Sequence, residues 1–164
     1  MKKNEAAFEV LILQAETANF DKVDTMAYFS NKDIPLEVLT RLDYLFDKSV
    51  EMGGQVVNVG KIVLMKLIKF ICDNPSMAFG VAIGVGLGVL VNMIPFIGAF
   101  ISPIVTILAA TYGALRGHRL DKVMRGEYIG DSLMEDAITI AKQFWVLVAD
   151  IFNTLFLDNP LVVD

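Results

Sequence analysis

The side chains of this chain that are best suited to binding chemistry are cations, and they cluster on either side of one long apolar segment. Three lysines precede the segment and four cations follow it: Lys61, Lys66, Lys69, Arg116, Arg119, Lys122 and Arg125. Cations beside an apolar segment attract the phosphates of anionic lipids, by about 1 kcal/mol each near a membrane surface. The pattern predicts that these seven residues bind a membrane surface, with anionic lipid as the partner.

Groups suited to covalent or metal chemistry are scarce. Cys72 is the single cysteine, and His118 is the single histidine and lies among the cations that follow the segment. The sequence contains no phosphate-binding loop, dinucleotide fingerprint, zinc-protease motif or cysteine pair. Because catalysis requires several convergent titratable or nucleophilic groups, we predict that the protein is not an enzyme and has no catalytic residue, metal ion or cofactor.

The apolar segment consists of residues 74–115, which are 42 consecutive residues without a charged side chain. A bilayer core about 30 Å thick requires about 20 apolar residues for each helical span. Residues 75–93 and 96–115 number 19 and 20, so each would form one span. The segment predicts a helical hairpin of the transmembrane type.

The orientation of this hairpin follows from its flanks. Lysine and arginine lie outside both outer ends and none lies in the turn, for which Asn92 and Pro95 are the candidate residues. The positive-inside rule then places both termini in the cytoplasm, beside an inner or plasma membrane. The turn itself is apolar, so two geometries stay open: a full crossing with the tip in the far interface, and a wedge that enters and returns.

Small residues recur along both arms of the hairpin at helical spacing. The predicted helix-packing residues are Gly80, Gly84, Gly88, Gly98, Ser102, Ala109 and Gly113. Such a glycine zipper allows two helix backbones to approach closely. It is compatible with packing of one arm on the other and with oligomerisation of several hairpins.

Apolar residues at spacings of three and four predict helices on both sides of the hairpin. In the first of them the predicted stripe is Phe8, Leu11, Ile12 and Ala15. Residues 1–73 are expected to form amphipathic helices over 5–18, 21–29, from 36 onward, and 55–73, with Gly53 and Gly54 ending the third. The last of these carries its three lysines on one arc, as a helix that lies in the membrane interface does.

Residues 116–164 comprise a basic collar and a C-terminal amphipathic helix. The apolar stripe predicted for this helix consists of Met134, Ile138, Ala141, Trp145, Val148, Phe152 and Leu155. The spacing of Ser132 and Glu135 predicts a capping box at the start of this helix, and Asn159 with Pro160 marks its end. Its charged residues argue against a third span. The expected fold is therefore all-α, one structural domain in which amphipathic helices surround a central uncharged hairpin.

Net charge follows the same division of the chain. It is −4 for residues 1–60, +2 for 61–73, zero for 74–115, +3 for 116–125 and −6 for 126–164. An acidic protein with a pI near 4.8 is a poor binder of nucleic acid, since phosphate contacts need clustered lysine and arginine. The partners expected are lipid, a second copy of the chain, or a protein bound by the amphipathic helices.

The layout resembles that of the pore-forming domains of colicins, in which soluble amphipathic helices shield an uncharged helical hairpin of similar length. The resemblance is one of layout only, and here 49 residues follow the hairpin, whereas the colicin hairpin lies near the end. It implies a small α-helical membrane protein that inserts its hairpin and oligomerises to permeabilise the bilayer.

Two alternatives stay open. One is a hairpin-anchored, non-enzymatic adaptor or immunity-type protein that binds a partner at the membrane surface, with Phe144, Trp145 and Phe156 as contact candidates. The other is a soluble bundle that buries the hairpin. The soluble bundle is the less expected of the two, because 122 residues would have to cover 42 that lack a continuous polar face.

Overall fold

The computed structural model describes residues 1–32, 34–110 and 130–158, with side chains from 135 to 156 in the last range. These residues are mostly helical, as predicted. The elements are α1 (Lys3–Glu16), α2 (Lys22–Ser30), α3 (Leu36–Phe46), β1 (Val50–Met52), β2 (Gln55–Val57), α4 (Val59–Asp73), α5 (Phe79–Met93), α6 (Pro95–Ala110) and α7 (Gly130–Asp158). The first turn of α6 is a 3-10 turn, Pro95–Ile97.

A short antiparallel hairpin between α3 and α4 corrects the sequence prediction. Gly53 and Gly54 do not end α3, which stops at Phe46, and residues 55–57 form β2 rather than the start of a helix. Met52 pairs with Gln55, so the two glycines form a two-residue turn with φ of 60° and 79°. Turns of this kind need positive φ at both central residues, which glycine adopts without steric cost.

The β-hairpin returns the chain so that the first turn of α4 crosses the end of α3. The Gly60 N–H donates to the Lys48 carbonyl oxygen at 3.1 Å. A Cβ atom at position 60 would lie 1.6 Å from the Leu45 carbonyl oxygen. Only glycine fits at this crossing, because no side chain atom can occupy that space.

An exposed cluster of ion pairs links α2 to α3 at the surface of the bundle. The Lys22 ammonium lies 2.6 Å from a carboxylate oxygen of Asp43 and 2.6 Å from one of Asp47. These two carboxylates raise the pKa of Lys22 above its ordinary value. At the start of α2, the Asp21 carboxylate accepts a hydrogen bond from the Asp24 N–H at 3.1 Å, as an N-cap residue does.

The core lies around α5, which packs on α4 and on α7, while α1 packs on α7. Helix α7 contributes the predicted stripe to this core, since Ala141, Trp145, Val148, Phe152 and Leu155 are all buried. The helix begins at Gly130, two residues before the predicted cap at Ser132. The bundle is therefore built around the first arm of the predicted hairpin.

The transmembrane character of that hairpin is not confirmed. Helix α5 has 15 residues and is about 22 Å long at 1.5 Å per residue, shorter than a bilayer core. Within the described chain, one stretch is long and apolar enough for a span by length and composition alone. That stretch is Glu135–Phe156 of α7, with a mean hydropathy of 1.2, and a core helix of a soluble bundle passes the same test.

Candidate functional site

The candidate site is the pair α5–α6 together with the helices that cover it. Every residue from 79 to 91 is buried or half-buried. The large hydrophobic side chains that are exposed in the described chain all lie elsewhere: Met1, Phe8, Leu11, Ile12, Val23, Leu36, Tyr44, Val56, Ile140, Val146 and Leu147. The most apolar part of the sequence is thus the part that the fold shields best.

Helix α6 shows how an uncharged helix is shielded on one side only. Its large residues Ile97, Ile101, Ile104 and Leu108 are buried at spacings of three and four. Its outward positions hold small or weakly polar residues: Ala99, Ser102, Thr106, Ala109 and Ala110. The exposed positions of the second arm therefore carry no charge and, apart from Pro95, only small side chains, while Phe100 is half-buried.

Aromatic contacts attach both ends of the hairpin to its cover. At the start of α5, the ring centroid of Phe79 lies 6.2 Å from the ring centroids of both Tyr28 and Phe29 in α2. At the start of α6, Phe96 stacks on Phe156 of α7 with 4.1 Å between ring centroids and 10° between planes. These contacts are apolar and need no fixed charge.

The turn between the arms lies at Ile94, which is buried between the exposed residues Asn92 and Pro95. A polar contact supports the turn from α7: the Asn153 amide nitrogen donates to the Met93 carbonyl oxygen at 2.8 Å. The last carbonyls of a helix lack partners within the helix. This side chain therefore satisfies one of the carbonyls at the end of α5.

The glycines of the predicted zipper have different surroundings. Cβ atoms built at Gly88 and Gly98 lie 3.9 Å from Val105 and 3.5 Å from Val91, so both glycines face the other arm. A Cβ atom at Gly84 meets nothing within 4 Å. Gly80 is half-buried, Ser102 and Ala109 are exposed, and Gly113 lies outside the described residues.

Gly86, which is outside that set, makes a closer contact with another helix than Gly84 and Gly88 of the predicted zipper do. A Cβ atom at Gly86 would lie 3.1 Å from Leu67 and 3.4 Å from Phe70, both on α4. A signal for this position exists in the sequence, because Gly86 breaks the four-residue spacing of Gly84 and Gly88 and lies on another face of the helix. Periodicity alone did not indicate that α4 would pack there.

Gly84 and Gly88 open onto a groove of about 420 Å³ between α5 and α7. The exposed side chains of Asn92 and Lys142 line it together with the half-buried Ile138. The groove has no carboxylate among its lining residues. It leaves part of the glycine row accessible from outside the described bundle.

The three predicted membrane-binding lysines of α4 are engaged within the fold. The Lys66 ammonium lies 3.8 Å from a carboxylate oxygen of Glu16, and Lys69 lies 3.2 Å from Asp73. Lys61 lies 5.8 Å from the ring centroid of Phe46. The four cations of the predicted basic collar, Arg116, Arg119, Lys122 and Arg125, lie outside the described residues, as does His118.

Two other cations, which the sequence interpretation did not single out, line a groove between α3 and α6. Arg41 and Lys48 border this groove of about 420 Å³. Their position beside α6 depends on the return of the chain through the β-hairpin and α4. No local spacing in the sequence indicates such a long-range contact.

Near the start of α5, Tyr28 links α2 to the end of α4. Its hydroxyl oxygen lies 4.0 Å from the sulfur of Cys72, which is exposed. Burial, together with the nearby thiol, raises the pKa of Tyr28 to about 12. The ammonium of Lys32 lies 5.1 Å from the Tyr28 ring and 5.5 Å from the Phe79 ring, close enough for cation–π attraction.

Within the residues that the structure describes, no group of three or more histidine, cysteine, aspartate or glutamate side chains is placed to hold a metal ion. Comparison of the chain with protein families, with curated proteins and with solved structures gave no match. The function is therefore inferred from the site alone.

Proposed function

We propose that the protein inserts the α5–α6 hairpin into a cytoplasmic-type membrane, and that the described bundle is its closed form. The observation that carries the proposal is the combination of 42 uncharged residues with a cover of helices that bear charges on their outer faces. In this form the hairpin is kept from water. In the inserted form, lipid replaces the cover.

The exchange of cover for lipid is favoured by the kind of contact that holds the hairpin. Ile83, Leu87 and Leu90 of α5 are completely buried among apolar side chains. Hydrophobic burial is non-directional and depends on the area removed from water, so hydrocarbon can replace these contacts. Most backbone groups inside both arms are paired within their own helices, which a bilayer core requires.

The closed form also contains a buried hydrogen-bond donor without a partner, which opening would expose to water. Trp145 of α7 is fully buried, and its indole nitrogen has no hydrogen-bond partner in the described structure. A buried donor left unpaired costs about 1–3 kcal/mol. Opening of the bundle around α7 would allow water to reach this group, which would favour the open form.

Insertion requires α5 to become longer. Residues 75–78 precede α5 and carry no charge, and Pro75 is suited to a first helical turn. A helix over residues 75–93 would be about 28 Å long, close to the thickness of a bilayer core. We therefore expect the first arm to gain a helical turn when it enters lipid.

Permeabilisation is the second step of the proposal and depends on oligomerisation. A Cβ atom added to Gly84 would have no atom of a neighbouring element within 4 Å. Gly84 and Gly88 both line an open groove. Small residues on an accessible helix face permit close packing with a second helix in lipid. This face supports contact between hairpins of different copies.

A hairpin-anchored adaptor is the second candidate, and helix α1 favours it. This helix buries Ala6, Val10 and Leu13 but exposes Phe8, Leu11, Ile12 and Ala15 on the opposite side. The aromatic residues that the sequence offered as partner contacts are less accessible, since Trp145 is buried and both Phe144 and Phe156 are half-buried. An adaptor would use the exposed face of α1.

The test places a fluorescent probe at the hairpin turn. Asn92→Cys, made in a Cys72→Ser background, carries an environment-sensitive dye at an exposed position, and Asn19→Cys in the turn after α1 is the matched exposed control. Vesicles that contain phosphatidylglycerol should shift the Asn92 probe to shorter wavelength and expose it to quenchers in the lipid phase. The Asn19 probe should stay in water.

The same vesicles, loaded with dye, separate the two candidates. Insertion with leakage supports permeabilisation, and insertion without leakage supports the anchored adaptor. A probe at position 92 that stays in water with every lipid composition would refute hairpin insertion.

A further inference from the structure

The groove between α3 and α6 has the composition of a binding site for an anionic amphiphile. Its rim holds two cations, Arg41 and Lys48, and its floor includes Leu45 of α3 and Phe100 of α6. Its volume of about 420 Å³ is within the range of small-molecule sites. A site with charge at the rim and apolar surface below suits a ligand with the same division.

The two rim cations differ from others in the bundle because no carboxylate neutralises them. Among the described residues, neither Arg41 nor Lys48 forms an ion pair, whereas Lys22, Lys66 and Lys69 each do. Glu37 lines the same groove, so the three charged groups leave one net positive charge. An anion entering the groove therefore meets two cations that form no ion pair within the described part of the chain.

Lys48 is positioned over the floor of the groove rather than extended into water. Its ammonium lies 5.1 Å from the ring centroid of Tyr44 and 5.4 Å from that of Phe100. Ala99, which is exposed, continues the floor along α6. A phosphate held by this ammonium would lie directly beside the apolar surface of the second hairpin arm.

We infer that this groove binds an anionic phospholipid, with the phosphate between Arg41 and Lys48 and the first acyl methylenes on Ala99 and Phe100. The inference rests on the proposed function and names the lipid class and the place where it is recognised. It also moves lipid recognition away from Lys66 and Lys69 of α4, which form ion pairs within the fold. Lipid bound here would bring α6 to the membrane before insertion.

A short-chain lipid tests the groove without requiring insertion. The full chain, labelled with nitrogen-15, is titrated with dihexanoyl phosphatidylglycerol as dissolved monomers. Saturable amide shifts are expected at Thr40, Ala99 and Phe100. Arg41→Gln and Lys48→Gln should each weaken binding about tenfold, as expected for loss of one charge-assisted contact.

Three controls make the outcome decisive. Lys69→Gln removes a cation outside the groove and should bind the lipid as the unaltered chain does. Dihexanoyl phosphatidylcholine and inorganic phosphate should each bind at least tenfold more weakly than phosphatidylglycerol. Circular dichroism of each variant verifies that the helices are intact.

Several results would overturn the inference. Equal binding of phosphate would indicate a simple anion site, and equal weakening by Lys69→Gln would indicate unspecific attraction to the protein. Absence of shifts with phosphatidylglycerol, while the Asn92 probe still enters vesicles, would reject the groove and leave the proposed function standing. Binding in the groove without entry of that probe would instead reject hairpin insertion.

Discussion

Helices α5 and α1 distribute their apolar residues in opposite ways. Helix α5 has no charge and exposes no large hydrophobic side chain, whereas α1 contains three glutamates and exposes Phe8, Leu11 and Ile12. The more apolar helix has partners on several sides, and the more polar helix has a partner on one. The difference teaches that hydropathy measures how much apolar surface a helix has, not which part of it another element covers.

The largest difference predicted from this comparison is in the free energy of unfolding when one leucine of each helix is replaced. Leu87 of α5 is 0% exposed and Leu11 of α1 is 56% exposed. Leu87→Ala should lower the free energy of unfolding by about 2–5 kcal/mol because it leaves a cavity. Leu11→Ala should change it by less than about 0.5 kcal/mol. Urea denaturation followed by circular dichroism measures both, and equal losses would contradict the assigned burial.

Two glycines allow a covered and an open position to be compared within α5 itself. Gly86→Leu should destabilise the bundle by about 1–3 kcal/mol, because α4 leaves no room for added atoms. Gly84→Leu should be neutral or stabilising in the same measurement, since that position faces an open groove and glycine disfavours helix by up to about 1 kcal/mol.

The same pair of variants separates folding from assembly. If the glycine row mediates oligomerisation in lipid, Gly84→Leu should reduce oligomer size and leakage while its stability in buffer is maintained. Crosslinking in vesicles gives the oligomer size. Unchanged oligomers and unchanged leakage would show that Gly84 has no part in contacts between copies.

The smallest predicted effect is on the pH dependence of stability and concerns Tyr28, which packs on the first residue of α5. Its pKa is raised from 10.0 to about 12, mainly by burial. A raised folded-state pKa contributes stability that is complete below about pH 10 and is lost as pH rises toward about 12. Unfolding midpoints at about pH 9 and about pH 11 should therefore fall more for the unaltered chain than for Tyr28→Phe. An equal fall in both proteins would disprove the assigned shift.

Much of the helical architecture was predictable from spacing, because the period of apolar residues depends only on local geometry. The stripe of α7 from Ala141 to Leu155 was predicted and is buried. The stripe of α1 shows the limit of the method, since the predicted residues Phe8, Leu11 and Ile12 form its exposed side. A helix with apolar residues on both sides gives no signal for the side that another helix will cover.

The β-hairpin was missed for a different reason. Gly53 and Gly54 read equally well as a helix stop and as a two-residue turn, and strands of three residues are too short for alternation to be evident. The basic groove was missed because Arg41 and Phe100 are far apart in sequence. Whether a cation is neutralised depends on tertiary contacts, and spacing along one helix does not report them.

The two ends of the hairpin are joined to the neighbouring helices by chain segments of different length. Five residues, 74–78, connect α4 to α5, whereas 19 residues, 111–129, separate the described end of α6 from α7. Six extended steps reach only about 20 Å from Asp73 to Phe79. A hairpin that leaves the bundle must therefore keep the start of α5 within that distance of the end of α4, whereas its connection to α7 contains almost four times as many residues.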